Sequence, residues 1–128
     1  MALLTERIIG CAMKVQSILG PGYLEKVYEN AMVIELRNEG LRVEQQKYIP
    51  VYYEGSVVGD LVADLLVEDK VLLELKACSG FTDAFTAICI SYLKSAKLPV
   101  CLLMNFGKPR LEWKRLVGDA YAQEANPL

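Results

Sequence analysis

The chain reads as an α+β (mixed α/β) domain, with element order ααβββαββ and a central mixed sheet flanked by helices. Three patterns predict this. Apolar residues recur at intervals of three and four through the first forty positions, which is helical spacing. From residue 42 to Ala77 the period falls to two, in segments rich in Val, Ile and Tyr, which is strand spacing. Helical spacing then returns once, before the continuous apolar run Val100–Met104 and a short final strand. Helices and strands that alternate in this way must bury a stripe of one against a face of the other.

In the first helix, residues 4 to 18, Leu4, Ile8, Ala12, Val15 and Ile18 lie near one face, and Thr5 is the expected cap. Gly20-Pro21-Gly22 breaks the chain. A second helix, Tyr23 to Glu39, turns Leu24, Val27, Tyr28, Ala31, Ile34 and Leu36 inward, with Gly40 as its C-terminal stop. Residues 42 to 54 form a strand that Pro50 bends or confines to a sheet edge. Glu54-Gly55 marks a turn, and a long hairpin runs from about Val57 to Ala77. Thr82 caps a third helix reaching about Lys97, with Phe85, Ile88, Cys89, Tyr92 and Leu93 as its core stripe. The buried strand Pro99 to Phe106 follows, then the turn Gly107-Lys108-Pro109 and a last strand, Arg110 to Val117. Residues 118–128 read as a short helical or frayed tail.

A length of 128 residues with 53% hydrophobic content suits one domain with a single core, about residues 4 to 117. No apolar run is long enough to span a bilayer and the N-terminus lacks a signal-peptide pattern, so a cytoplasmic protein with no membrane partner is expected. Cys11, Cys78, Cys89 and Cys101 lack zinc-like spacing and read as reduced core residues. The chain contains no histidine, which excludes Ser-His-Asp triads, Cys-His pairs and HExxH zinc sites. Catalysis would have to rest on Asp, Glu, Lys, Tyr or a metal held by oxygen ligands, which favours Mg²⁺ or Mn²⁺. The net charge of −2 gives no global attraction to nucleic acid, and the clusters Lys94/Lys97, Lys108/Arg110 and Lys114/Arg115 read as solvated surface.

The central hairpin places acids where apolar residues belong. Leu61, Ala63, Leu65 and Val67 alternate onto one face with Val71, Leu73, Leu75 and Ala77, whereas Asp64, Glu74 and Lys76 share the other with Val62, Leu66 and Leu72. Charges in such a setting are costly unless paired or bound to a metal. Asp64 and Glu74 point together only if the pairing centres on Asp69, which requires an odd-numbered connection such as Glu68 to Lys70. The uniform apolar face favours the same register. Two adjacent carboxylates repel, and Mg²⁺ would relieve them, with Lys76 stabilising charge on a phosphate. The alternative from spacing alone is a solvated hairpin face with a salt bridge. For Glu25 the alternatives are an exposed acid or one that benefits a helix N-terminus.

Gly22-Tyr23-Leu24-Glu25-Lys26-Val27-Tyr28 carries a GxxExxY pattern, and Asn105-Phe106-Gly107 follows the apolar strand. With Ala63-Asp64 and Glu74-Leu75-Lys76, the chain resembles the GxxExxY proteins of the PDDEXK (restriction-endonuclease-like, RecB-like) nuclease superfamily over roughly residues 4 to 117. The resemblance implies a restriction-endonuclease-like core and a Mg²⁺-dependent nuclease acting on DNA or RNA. It implies Asp64, Glu74 and the Leu75 carbonyl as metal ligands, Glu25 as an auxiliary ligand and Lys76 as a catalytic group. Tyr28 and Tyr92 take supporting places, Tyr28 as a packing residue whose hydroxyl reaches a polar partner near the site.

One position departs from the pattern. The family's helix after the hairpin carries Gln-x-x-x-Tyr; Tyr92 fills the Tyr position, but Ile88 stands where the Gln belongs. Isoleucine neither donates nor accepts a hydrogen bond. The competing expectations are therefore a nuclease, a catalytically idle fold serving binding or assembly, and a purely structural protein with salt-bridged acids. A lone small domain offers little surface to grip a duplex, which points to a homo-oligomer. The apolar edge Tyr48 to Tyr53 is the candidate contact, and a well-covered strand is the alternative.

Overall fold

The computed structural model describes residues 1–119. Its elements are α1 (Ala2–Leu19), α2 (Glu25–Asn38), β1 (Val43–Tyr53), β2 (Ser56–Val67), β3 (Val71–Lys76), α3 (Asp83–Ala96), β4 (Val100–Asn105) and β5 (Glu112–Val117). The five strands form one sheet in the order β1-β2-β3-β4-β5. Neighbours are antiparallel except β3 and β4, which run parallel because α3 carries the chain back between them. The expected order ααβββαββ is the observed one, and the expected tail beyond Asp119 lies outside the described residues. Among the described residues, no helix is long and apolar enough to cross a membrane.

Two cores lie on the two faces of the sheet. On one, Ile8, Ala12 and Val15 of α1 and Tyr28, Met32 and Leu36 of α2 cover Leu65, Val67, Val71, Leu73 and Leu75. On the other, Cys89, Tyr92 and Leu93 of α3 cover Ile49, Ala63, Leu66, Leu72 and Leu103. The central strands β3 and β4 are covered on both sides, which is why both read as nearly continuous apolar runs. All four cysteines are free thiols; Cys11, Cys89 and Cys101 are buried and Cys78 is partly exposed.

Turn chemistry matches the expectations closely. Glu54 and Gly55 both take positive φ (48° and 83°), the geometry a two-residue hairpin turn requires between Tyr53 and Ser56. Gly40 has φ 78° just past α2, and its amide closes onto Arg37 O. The Thr82 hydroxyl accepts the Phe85 amide at 3.3 Å, capping α3. Pro50 lies on β1, which is an edge strand with an irregularity between Val51 and Tyr52.

Five expectations are corrected. Thr5 does not cap α1; the helix starts at Ala2, and the buried Thr5 hydroxyl donates back to Ala2 O at 2.8 Å. Ile18 is exposed rather than inward. Leu24, the cap position before α2, is 82% exposed, and Val27 and Ile34 are exposed; of the expected inward residues Tyr28 and Leu36 are buried, in a row completed by Met32. Packing chooses this row, whose aromatic ring stacks on Phe106, at 4.8 Å between centroids. Ile88 is 40% exposed and stands outside the α3 core stripe. The expected uniform face of β2 breaks as well: Leu61 and Ala63 pack on the α3 side, whereas Leu65 and Val67 pack on the α1/α2 side.

Gly107 shows where the chain has no spare room. A Cβ there would lie 2.3 Å from the backbone N and O of Cys78. Gly107→Ala must displace backbone, so we expect it to cost roughly 2–3 kcal/mol and lower the melting temperature by about 10 °C. Gly10→Ala in the exposed turn of α1 meets nothing within 4 Å and should stabilise by about 0.5–1 kcal/mol. Thermal melts of the two variants check the pair, and equal effects would contradict the close approach.

Candidate active site

The β2–β3 register places the acids. Val67 pairs with Val71, Leu66 with Leu72 and Leu65 with Leu73, centred on Asp69 as the apolar pattern requires. Glu68, Asp69 and Lys70 make the connection, with Glu68 and Asp69 at φ 52° and 55°. Its backbone is held by the Glu68 amide on Arg42 O (2.9 Å) and the Arg42 amide on the Glu68 carboxylate (2.7 Å). One step further the register sets Asp64 against Glu74. The regular ladder has ended there, and the Leu75 amide donates to Asp64 Oδ2 at 2.7 Å.

Glu74 lies beside this contact with its side chain 10% exposed. Its Oε2 is 3.7 Å from Lys76 Nζ, whereas its buried Oε1 has no hydrogen-bond partner among the described residues. Lys76 Nζ sits 4.5 Å from the centroid of the Phe85 ring on α3, an additional hold on the cation. Tyr92, also from α3, adjoins Glu74 and donates its hydroxyl proton to Val62 O at 2.9 Å.

Burial governs the protonation of these groups. It pushes the Glu74 carboxyl up to about 7, with the Asp64 charge adding to the rise and Lys76 opposing it. Asp64 is also raised, first by burial, then by the charges of Glu29 and Glu25, against the pull of the Leu75 amide. The Tyr92 phenol is held well above its ordinary range by burial and by Glu74.

Glu25 opens α2 and reaches the end of β3, where its Oε2 accepts the Ala77 amide at 3.4 Å. Two short motifs bring it there. The Tyr28 hydroxyl donates to Gly20 O at 2.6 Å and accepts the Tyr23 amide at 3.2 Å, tying down the loop around Gly22, whose φ is 118°. The Tyr28 ring stacks on Phe106, and the Phe106 carbonyl accepts Gln16 Nε2 at 3.1 Å. Asn105, fully buried, grips the chain just past β3: Oδ1 accepts the Cys78 amide and Nδ2 donates to the Cys78 carbonyl, both at 3.0 Å. The Gly22…Tyr28 and Asn105–Gly107 motifs thus brace each other around the end of β3. Glu25 does not close on the other acids; among the described residues, no three His, Cys, Asp or Glu side chains gather closely enough to hold a metal ion.

A model of the PD-(D/E)XK nuclease superfamily matches residues 2–116. The chain belongs to the PD-(D/E)XK nuclease superfamily. Its fold is also similar to the crystal structure of an alkaline exonuclease from Laribacter hongkongensis, with a TM-score of 0.51 and 11% identity, covering 89% of this chain and 79% of that one. No curated protein matches the chain.

Within this superfamily fold, the donors at the β2–β3 notch suit a hard divalent cation. Two carboxylates with raised proton affinity lie within reach of each other's charge, and one buried oxygen, Glu74 Oε1, has no partner among the described residues. Sequence reasoning missed Glu29, which lies between the buried Tyr28 and the next inward turn and is itself buried. The only sign of it was an acid adjoining the inward face of α2. It also missed Gln46, for which an alternating strand gave no signal.

In the folded chain Glu74 holds its proton to about pH 7, and its ordinary value is 4.5, so between these the folded state binds more protons than the unfolded. Stability of the metal-free protein should therefore fall as pH rises through that window, by on the order of 3 kcal/mol from this group. Urea unfolding at pH 5 and pH 8 should show a decline in wild type that Glu74→Gln lacks. Equal declines in both would contradict it.

Proposed function

We propose that the protein is a Mg²⁺- or Mn²⁺-dependent nuclease that hydrolyses phosphodiester bonds of DNA or RNA. The observation that carries this is the pair of Asp64, half-buried, and Glu74, buried, with Lys76 beside it and no partner for Glu74 Oε1 among the described residues, on the inner strands β2 and β3 of a PD-(D/E)XK sheet. Asp64, Glu74 and the Leu75 carbonyl would hold the ion, with Glu25 at the N-terminus of α2 as the auxiliary ligand that the resemblance implies. When bound, the ion supplies activation of water and neutralisation of phosphate charge. Lys76 keeps its ammonium between the Glu74 carboxylate and the Phe85 ring, from which it orients water or offsets charge developing on the phosphate. Tyr92 restrains Val62, two residues before Asp64, and so steadies the strand that carries it. With its four free thiols the protein suits the reducing cytoplasm.

A second reading, a catalytically idle module that binds nucleic acid or a partner, is favoured by Ile88. It lies one helical turn before Tyr92, half-exposed, where the resemblance calls for a glutamine. Assembly belongs to the same proposal: Tyr48, Tyr52 and Tyr53 are exposed on the edge strand β1, a surface suited to a second copy.

Incubation of the purified protein with single- and double-stranded DNA and RNA decides between the readings. Cleavage is expected with Mg²⁺ or Mn²⁺ and is expected to fall at least a hundredfold in Asp64→Ala, Glu74→Ala and Lys76→Ala. Ile88→Gln should raise it. Absence of cleavage in both wild type and Ile88→Gln would overturn the nuclease reading.

A further inference from the structure

Consecutive side chains of a strand point to opposite faces, yet two neighbours on β1 reach the same carboxylate. Gln45 Nε2 donates to Glu29 Oε2 and Gln46 Nε2 donates to Glu29 Oε1, both at 2.8 Å. Lys26 Nζ adds a third contact at 2.8 Å. Glu29 is 4% exposed and its two oxygens are occupied by these donors. The backbone accommodates this at Gln46, whose φ is 53°, a conformation that residues other than glycine rarely adopt without compensating contacts.

The position facing Gln46 in the register is Asp64. The β1–β2 pairing runs through Gln45/Leu65 and resumes at Lys47/Ala63, and it lapses at Gln46/Asp64 between them. β2 shows the matching break: Ala63 and Leu66 both pack on the α3 side, and Leu65 packs on the other. A regular pleat would hold Asp64 in the ladder with its side chain upright from the sheet. The break instead leaves its carboxylate free to take the Leu75 amide.

The geometry points to Glu29 and Gln46 as positioning residues: the Glu29–Gln46 hydrogen bond holds the break in β1 that aims Asp64 at the notch it shares with Glu74. This rests on the reading of Asp64 as a metal ligand. Partners that orient a ligand in this way typically carry a tenfold to hundredfold share of metal affinity.

Two variants test it. Gln46→Gly accepts the positive φ and lacks the amide, and Glu29→Gln cannot accept from all three donors. In ¹⁵N-labelled, metal-free protein, the Leu75 amide should lose at least tenfold of its protection from hydrogen exchange in both. The amides of Leu65, Leu66, Leu72 and Leu73 should keep theirs. Mn²⁺ affinity measured by calorimetry should weaken about 10- to 100-fold. Unchanged exchange at Leu75, or equal loss across all these amides, would overturn the proposal, the latter by reducing the pair to general support of the fold. If wild type binds no Mn²⁺, the metal reading fails, and the Leu75 exchange still decides this one.

Discussion

Two carboxylates held side by side, Glu74 buried and Asp64 half-buried, repel each other with little water to screen them. The folded chain sustains this arrangement through the Leu75 amide on Asp64 and, around Glu74, Lys76 at 3.7 Å with the Tyr92 hydroxyl and the Asp64 amide close by, while Glu74 Oε1 has no hydrogen-bond partner among the described residues. Burial answers part of the cost by keeping protons on the acids, Glu74 up to about pH 7. A divalent cation would answer the rest, and the surroundings are built as though it does. Apolar cores close both faces of the sheet, α3 places Phe85 and Tyr92 against Lys76 and Glu74, and α2 brings Glu25 to the end of β3.

The motifs that mark the chain divide into two kinds. Asp64, Glu74 and Lys76 stand where chemistry would occur. Gly22, Tyr28, Asn105, Phe106 and Gly107 do not meet them; they fasten the chain around the end of β3 by a stacked ring pair, a two-way amide clamp and a glycine with no room for a methyl group. This division explains how a short motif on α2 and another after β4 occur together in one sequence. Each supplies half of one contact.

Much of this was legible in the sequence because it depends on local rules. The three-residue connection at Asp69 followed from matching apolar positions across the hairpin, and the Thr82 cap and the Gly40 stop followed from helix-end chemistry. What escaped depends on contacts distant in sequence. Helical spacing on α2 turned Leu24, Val27 and Ile34 inward together with Tyr28 and Leu36, and the stack of Tyr28 on Phe106 orients the helix so that Tyr28, Met32 and Leu36 are the ones buried. Ile88 looked like core because its hydrophobicity fits the stripe, but α3 is rotated to bury Cys89 and Leu93. The reversal of pleat at Asp64 was invisible for a similar reason: a left-handed glutamine on one strand, held by an acid on a helix, has no signature in alternation.

The proposed chemistry depends on Asp64 and Glu74 together holding a divalent cation. Anomalous diffraction from crystals soaked in Mn²⁺ tests it most directly. One manganese peak in contact with the carboxylates of both Asp64 and Glu74, including Glu74 Oε1, is expected. A notch without a peak at a manganese concentration that saturates other nucleases of the superfamily, or an ion bound only elsewhere, would contradict it.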